Sequence, residues 1–219
     1  MSILDPIRAR ALAMRLIPNV DPDMAGRLKL RPEQRSLGLL TADNDDATYV
    51  AIDEATKMAE VEVVYAHSFY AGAKHSSGKL SGEVIAMLAG TNPAEVRAGL
   101  TAAVGYLENE ALWYSANEDN SIAFFPHLVS RTGSYLSRVC GLPIGEPIAY
   151  LVAPPLEGMV ALDAALKAAA VRIVSLTPPP SETNYMAALL TGDQPACRQA
   201  TLAFRECVLE VAANPLHWQ

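Results

Sequence analysis

Apolar residues recur along this chain in two alternating spacings. Short aliphatic runs such as residues 37–41, and stretches where apolar and polar residues take turns such as VEVVYAHSFY at 61–70, predict strands. Between them lie helix starts. Asp21-Pro22 places an acid at a cap and a proline in the first turn, Asp45 and Asp46 precede a helical stretch over 48–59, and Asn92-Pro93-Ala94-Glu95 opens a long helix. Residues 10–17, 21 onward, 37–41, 48–59, 61–70, 83–89 and 92 onward therefore predict strand, helix, strand, helix, strand, strand, helix. The second half predicts the same order at 122–129, near 135–140, and at 148–152, 160–170, 171–176, 185–190 and 195–211.

The order repeats because the sequence does. Residues 51–64 (AIDEATKMAEVEVV) return at 161–174 (ALDAALKAAAVRIV), with 7 of 14 positions identical at an offset of 110. Upstream, residues 19–42 lie over 130–153 at an offset of 111; downstream, Leu88-Ala89-Gly90 meets Leu190-Thr191-Gly192 at 102. The drop from 110 to 102 leaves 8 extra residues in the first copy, at GAKHSSG (72–78), where Gly and Ser mark a surface loop. Two similar units are expected, 1–108 and 109–219, each an α+β domain with a small, mostly antiparallel sheet and helices packed on one face. The Ala-rich helix at 160–170 permits close approach, and one of its faces is a candidate for contact with another subunit.

Composition narrows the functional classes. With 51% hydrophobic and 19% charged residues, the chain can build cores, and no stretch approaches the ~18 apolar residues of a membrane span. The start, MSILDPIRAR, interrupts any apolar region with an acid and a proline, so no export signal is read. A net charge of −7 without a basic cluster argues against nucleic acid. Cys140, Cys197 and Cys207 are odd in number and lack metal spacing, which fits buried thiols. Gly72 to Lys79 has five residues between its glycines and Leu80 where a phosphate loop needs Ser or Thr; Asp43, Asp45 and Glu54 lack the glycine of a calcium loop. His67, His75, His127 and His217 are scattered, and no catalytic grouping can be assembled, so no enzyme is expected. What remains is a set of polar residues at strand ends: Asp45 and Asp46, Glu83, Glu157, and SETNY at 181–185. On the residues alone, helix caps and solvated turns are the favoured explanation of these, and a duplicated α+β regulator that binds a small molecule is an alternative.

The segments SLGLLTADNDDATYVAIDEATK, VEVVYAHSFYAGA, GEVIAMLAGTNPAEVRAGL, VSRTGSYLS, AYLVAPPLE, ALDAALKAA and PPPSETNYMAALLTG resemble the ethanolamine utilization shell proteins of bacterial microcompartments nearly end to end. The resemblance implies two tandem, circularly permuted microcompartment domains and a non-enzymatic structural role in a cytoplasmic microcompartment shell. It implies a homotrimer that forms a pseudohexameric tile beside other shell proteins. Its central pore would be gated, and each subunit would keep a small ethanolamine-binding pore.

For that ligand the resemblance carries over Asp45, Asp46, Glu83, Thr183, Asn184 and Tyr185, with Trp113 from a segment that departs from the family in local spacing. The chemistry is consistent: carboxylates suit the ammonium, hydroxyl and amide groups the alcohol, and an aromatic ring the remaining wall. Glu157 carries over as a carboxylate near the threefold axis, where zinc would be held only by three copies together. No cofactor is required by the resemblance. Cobalamin binding at the central pore belongs to some family members, and no residue here settles it.

Overall fold

The computed structural model describes residues 2–69, 78–179, 181 and 184–216. The chain opens with β1 (Pro6–Arg8). The first copy follows as β2 (Ala11–Ile17), α1 (Pro22–Arg27), β3 (Ser36–Ala42), α2 (Asp45–Met58), β4 (Val61–Ser68), β5 (Val84–Gly90) and α3 (Pro93–Asn109). After β6 (Leu112–Ser115), the second copy runs β7 (Ala123–Val129), α4 (Ser134–Cys140), β8 (Ile148–Ala153), α5 (Pro155–Ala168), β9 (Arg172–Thr177), β10 (Met186–Thr191) and α6 (Gln194–Ala213). Strand, helix, strand, helix, strand, strand, helix thus occurs twice, as the hydrophobic spacing predicts. The additions are β1 and β6, of 3 and 4 residues, too short to leave a readable period.

Two helix starts differ from expectation in a way that matters. Asp45 and Asp46 do not cap α2; Asn44 does, its Oδ1 accepting from the Ala47 N–H at 2.9 Å, and both aspartates occupy the first turn. Helix α5 begins at Pro155, so Glu157 is a first-turn residue and not a loop residue. The cause is local in both cases: Asn44 supplies an equally good cap one residue ahead of the acids, and Pro155 suits the first turn, where its missing amide hydrogen costs nothing.

The sheets share one topology. One has the order β2-β3-β5-β4; the other is β1-β6-β7-β8-β10-β9, whose last four strands repeat it. Every pairing registered within either four-strand set is antiparallel. The register repeats residue by residue: Leu40 faces Ala86 as Leu151 faces Ala188, and Val63 faces Leu88 as Ile173 faces Leu190. Even the irregularity is copied, because the edge pairing steps over Val64 in β4 and Val174 in β9. One offset needs correction. Ala25 N–H bonds the Asp21 carbonyl as Ser137 N–H bonds that of Gly133, so α1 and α4 correspond at 112 (137 − 25 and 133 − 21), one more than the sequence alignment suggests.

By contact the chain divides into two compact units. One comprises Arg8–Ala111 with Gly133–Arg138; the other comprises Met1–Ile7, Leu112–Thr132 and Val139–Gln219. In the first, Leu40, Val63, Ala86 and Leu88 pack on Ile52, Ala55, Val96, Leu100 and Ala103 of α2 and α3. The alternate positions Leu37 and Ala89 point the other way, where Met24 and Ala25 of α1 and its C-cap Leu28 cover them. In the second unit, Leu151, Met186, Ala188 and Leu190 pack on Ala161 and Ala165 of α5 and on Ala200, Phe204 and Val208 of α6. Phe204 is fully buried, worth about 1.5–3 kcal/mol of transfer free energy. No helix of the described residues is long and apolar enough to cross a membrane.

Candidate functional site

In the Arg8–Ala111 unit, adjacent strands β3 and β5 bring carboxylates together. The end of β3 delivers Asp43, the first turn of α2 delivers Asp45 and Asp46, and the start of β5 delivers Glu83. Glu83 is fixed through its backbone: its N–H bonds the Ala42 carbonyl at 2.9 Å, and its carbonyl accepts from Phe69 N–H at 2.9 Å. Gly82 makes this possible. Its φ is +65°, and a Cβ there would lie 1.9 Å from the Ala42 carbonyl oxygen, so only glycine fits.

Charge accumulates around Glu83. Burial pushes its carboxyl above the ordinary glutamate range, and the negative charges of Asp45 and Asp43 push it further. Asp43, which the sequence offers only as part of a failed calcium loop, is a member of the group. It is partly neutralised, accepting from Arg10 N–H at 2.7 Å and pairing with Arg10 Nε at 3.3 Å. Asp45 Oδ1 accepts from Asp46 N–H at 2.8 Å. Nearby, the Tyr49 hydroxyl shares a hydrogen bond with the Ser68 hydroxyl, and burial raises its pKa, with Asp45 and Asp46 contributing. The arrangement concentrates acceptors and negative charge around an exposed glutamate. It is suited to a small organic cation that carries its own donors, and it contains no activated nucleophile.

In the other unit, Trp113 on β6 and Tyr185 form part of an aromatic wall. The Trp113 indole is buried, stacks on Phe125 with centroids 5.4 Å apart, and meets Tyr185 edge-on at 5.7 Å. Phe125 in turn stacks on His127 at 5.0 Å and meets Tyr150 at 5.8 Å. Sequence reading missed Phe125 and Tyr150. Their signal was the i, i+2 spacing of Phe125 and His127 on β7, which puts both on one face. Asn184 holds a left-handed turn at φ +66°, its N–H bonding the Ser181 carbonyl at 3.0 Å while Ser181 N–H bonds the Tyr185 carbonyl at 3.2 Å. Thr183, most of the inserted loop over 72–78, His75 and His217 lie outside the described residues.

Glu157 is partly exposed in the first turn of α5. No group of three His, Cys, Asp or Glu residues that could hold a metal ion occurs among the described residues. The described residues of one chain therefore offer no donor set that fits zinc, which takes four ligands as a structural ion. Cys140 and Cys197 are buried, Cys207 is partly so, and burial raises the thiols of Cys197 and Cys207.

Comparison with known proteins agrees with this architecture. The BMC domain model matches residues 36–117 and 152–216, one segment in each copy. The bacterial microcompartment shell protein EutL of Escherichia coli K12 is 56% identical over 216 residues, covering 99% of both chains. EutL of Clostridium perfringens is 58% identical over 212 residues, covering 97% of this chain and 98% of that one. The crystal structure of the ethanolamine utilization protein EutL from Leptotrichia buccalis matches with a TM-score of 0.94 at 59% identity, over 100% of both chains. The chain belongs to the BMC domain family, among the EutL shell proteins of bacterial microcompartments.

Proposed function

We infer that the chain is a non-enzymatic structural subunit of the shell of an ethanolamine utilization microcompartment in the cytoplasm. The observation that carries this reading is the match of both copies, nearly end to end, to EutL shell proteins. The reading continues to a finer level: three copies close into a pseudohexameric tile with a gated central pore, because a duplicated domain used three times supplies six similar positions. Electron microscopy of the purified protein tests this. Hexagonally packed discs with threefold symmetry are expected, and a monomer at every concentration would refute it.

For the small pore, the reading assigns the ammonium of ethanolamine to Asp45 and Glu83, with Asp46 beside them. The crowding of Asp43, Asp45 and Glu83 supports a cation here, since a bound positive charge relieves their mutual repulsion. Calorimetric titration with ethanolamine is expected to weaken by roughly tenfold or more in Glu83→Gln and in Asp45→Asn, the scale of one charged hydrogen bond. Unchanged affinity in both variants sinks the assignment. The resemblance also carries Trp113, Thr183, Asn184 and Tyr185 over to ethanolamine, and Tyr185→Ala tests their share independently. Zinc is proposed only for Glu157 multiplied by threefold symmetry, with Glu157→Gln expected to abolish metal retention by the trimer. Cobalamin draws no support from the described residues and is not carried further.

A further inference from the structure

The first copy fills a depression that the second leaves open. In the first, Glu62 on β4 accepts from the Arg31 guanidinium, from Gln34 Nε2 at 2.8 Å and from Arg138 Nη1 at 3.3 Å. Gln34 is only 5% exposed, so its amide plugs the space between the loop that leads into β3 and the edge strand.

In the second copy the corresponding loop brings no such plug. At the offset of 111, Leu142 stands for Arg31, Gly145 for Gln34 and Glu146 for Arg35; at 110, Arg172 stands for Glu62. Hydrogen bonds confirm the match, since Val20 N–H bonds the Arg35 carbonyl at 2.8 Å as Thr132 N–H bonds that of Glu146 at 3.1 Å. A cavity of about 440 Å³ results, within one unit, with Leu142, Pro143 and Val171 as apolar walls and Glu146 and Arg172 also lining it. A Cβ on Gly145 would meet no atom within 4 Å, so nothing has moved in to replace the glutamine. Small-molecule sites occupy roughly 300–1,000 Å³, and this cavity lies in that range.

Both charges are inverted relative to the first copy, and neither is used. Among the described residues the Arg172 guanidinium and the Glu146 carboxylate have no hydrogen-bond or ion-pair partner, and they do not pair with each other although they line one cavity. Thr191, the other polar side chain of the lining, is committed, its hydroxyl donating to the Pro147 carbonyl at 2.9 Å. An anion alone would face the Glu146 carboxylate, and a cation alone the Arg172 guanidinium. A ligand that carries both signs is favoured over either. The guanidinium fork matches a carboxylate, the glutamate accepts from an ammonium, and the apolar walls suit an aliphatic body.

We propose that this cavity binds a small aliphatic zwitterion of the α-amino acid class, its carboxylate on Arg172 and its ammonium on Glu146. The site is distinct from the Asp45 and Glu83 cluster, which lies in the other unit. Saturation-transfer NMR titration of the full chain tests it with three probes: L-leucine, 3-methylbutylamine, which keeps only the ammonium, and 4-methylpentanoate, which keeps only the carboxylate. Leucine is expected to bind with a dissociation constant on the order of millimolar, since both charged groups face solvent. Each one-headed analogue is expected to bind about fivefold more weakly, and Arg172→Gln and Glu146→Gln each to weaken leucine about fivefold, the upper end for an exposed charge pair. Leu142→Arg combined with Arg172→Glu rebuilds the ion pair of the first copy across the cavity and is expected to abolish binding. Absence of a leucine signal, or leucine affinity unchanged in either Gln variant or in the double variant, overturns the proposal. So does an analogue that binds as tightly as leucine, or loss of leucine binding in Glu83→Gln, which would place the ammonium at the carboxylate cluster instead.

Discussion

Asp53→Ala removes the buried carboxylate that ties the start of α4 to α2, leaving Thr56, whose Oγ1 accepts from the Ser134 amide at 3.0 Å. Asp53 is fully buried, and its two oxygens accept from the Gly133 and Leu136 amides at 2.7 and 2.8 Å, with Lys57 Nζ 3.8 Å away. Hydrogen bonds to a charged acceptor contribute about 1.5–3 kcal/mol each, and alanine leaves both donors without that acceptor. Relief of the buried charge offsets part of this, so the expected loss is about 2–4 kcal/mol. Urea unfolding at a fixed protein concentration and pH 7.5 measures it as a lower midpoint at unchanged slope. The internal control is Asp163→Ala in the other copy. Asp163 and Lys167 are mostly exposed neighbours one helical turn apart, and losing that pair is expected to cost below about 0.5 kcal/mol. A loss for Asp53→Ala no larger than for Asp163→Ala refutes the reasoning. The pH dependence has a definite sign. Burial raises the Asp53 carboxyl above 3.8 against the lowering effect of the two amides, so the folded state holds this proton where the unfolded chain has released it. Its contribution to stability is largest at low pH and declines as pH rises from 3.8 through the raised value, so the deficit of Asp53→Ala grows as pH is lowered across that window.

Three further expectations follow from single positions. Gly133→Ala places a Cβ 2.3 Å from Thr56 Oγ1 and 2.5 Å from the Asp53 carbonyl oxygen, and thermal unfolding is expected to show a loss of about 1–3 kcal/mol. Gly82→Ala forces a side chain against the Ala42 carbonyl, which carries the Glu83 amide; ethanolamine affinity is expected to fall even though no ligand-facing carboxylate has changed, and calorimetric titration checks it. The Glu83 carboxyl is raised, and an ammonium favours its ionised form, so ethanolamine binding is expected to weaken as pH falls through that raised value and to release protons near it. Titrations at pH 5 in two buffers of different ionisation enthalpy measure the release, and identical heats in both would contradict it.

The fold was legible because repetition averaged out local ambiguity. Element ends shifted by a few residues, yet a strand or helix assigned in one copy constrained its counterpart at a known offset, and the observed register preserved that correspondence down to the skipped residues Val64 and Val174. The short strands β1 and β6 were invisible because 3 and 4 residues carry no period. The candidate site was legible only in part. Asp45, Asp46 and Glu83 stood out as polar residues flanking apolar strands, but Asp43 entered only as part of a failed calcium loop, and Phe125 and Tyr150 read as ordinary strand residues.

By itself, the sequence determined that two α+β copies exist, where they differ, and, through its resemblance, which family they belong to, because these depend on patterns carried along the chain. Only the tertiary structure decided that Asn44 and not Asp45 caps α2, that Asp43, Asp45 and Glu83 share one field, and that α1 and α4 correspond at 112. It also decided that Asp53 is buried while its counterpart Asp163 lies in solvent. The physical reason is common to all four. Hydrogen-bond partners, desolvation and mutual repulsion depend on distances across strands and between segments far apart in sequence, and the one-dimensional order of residues does not contain those distances.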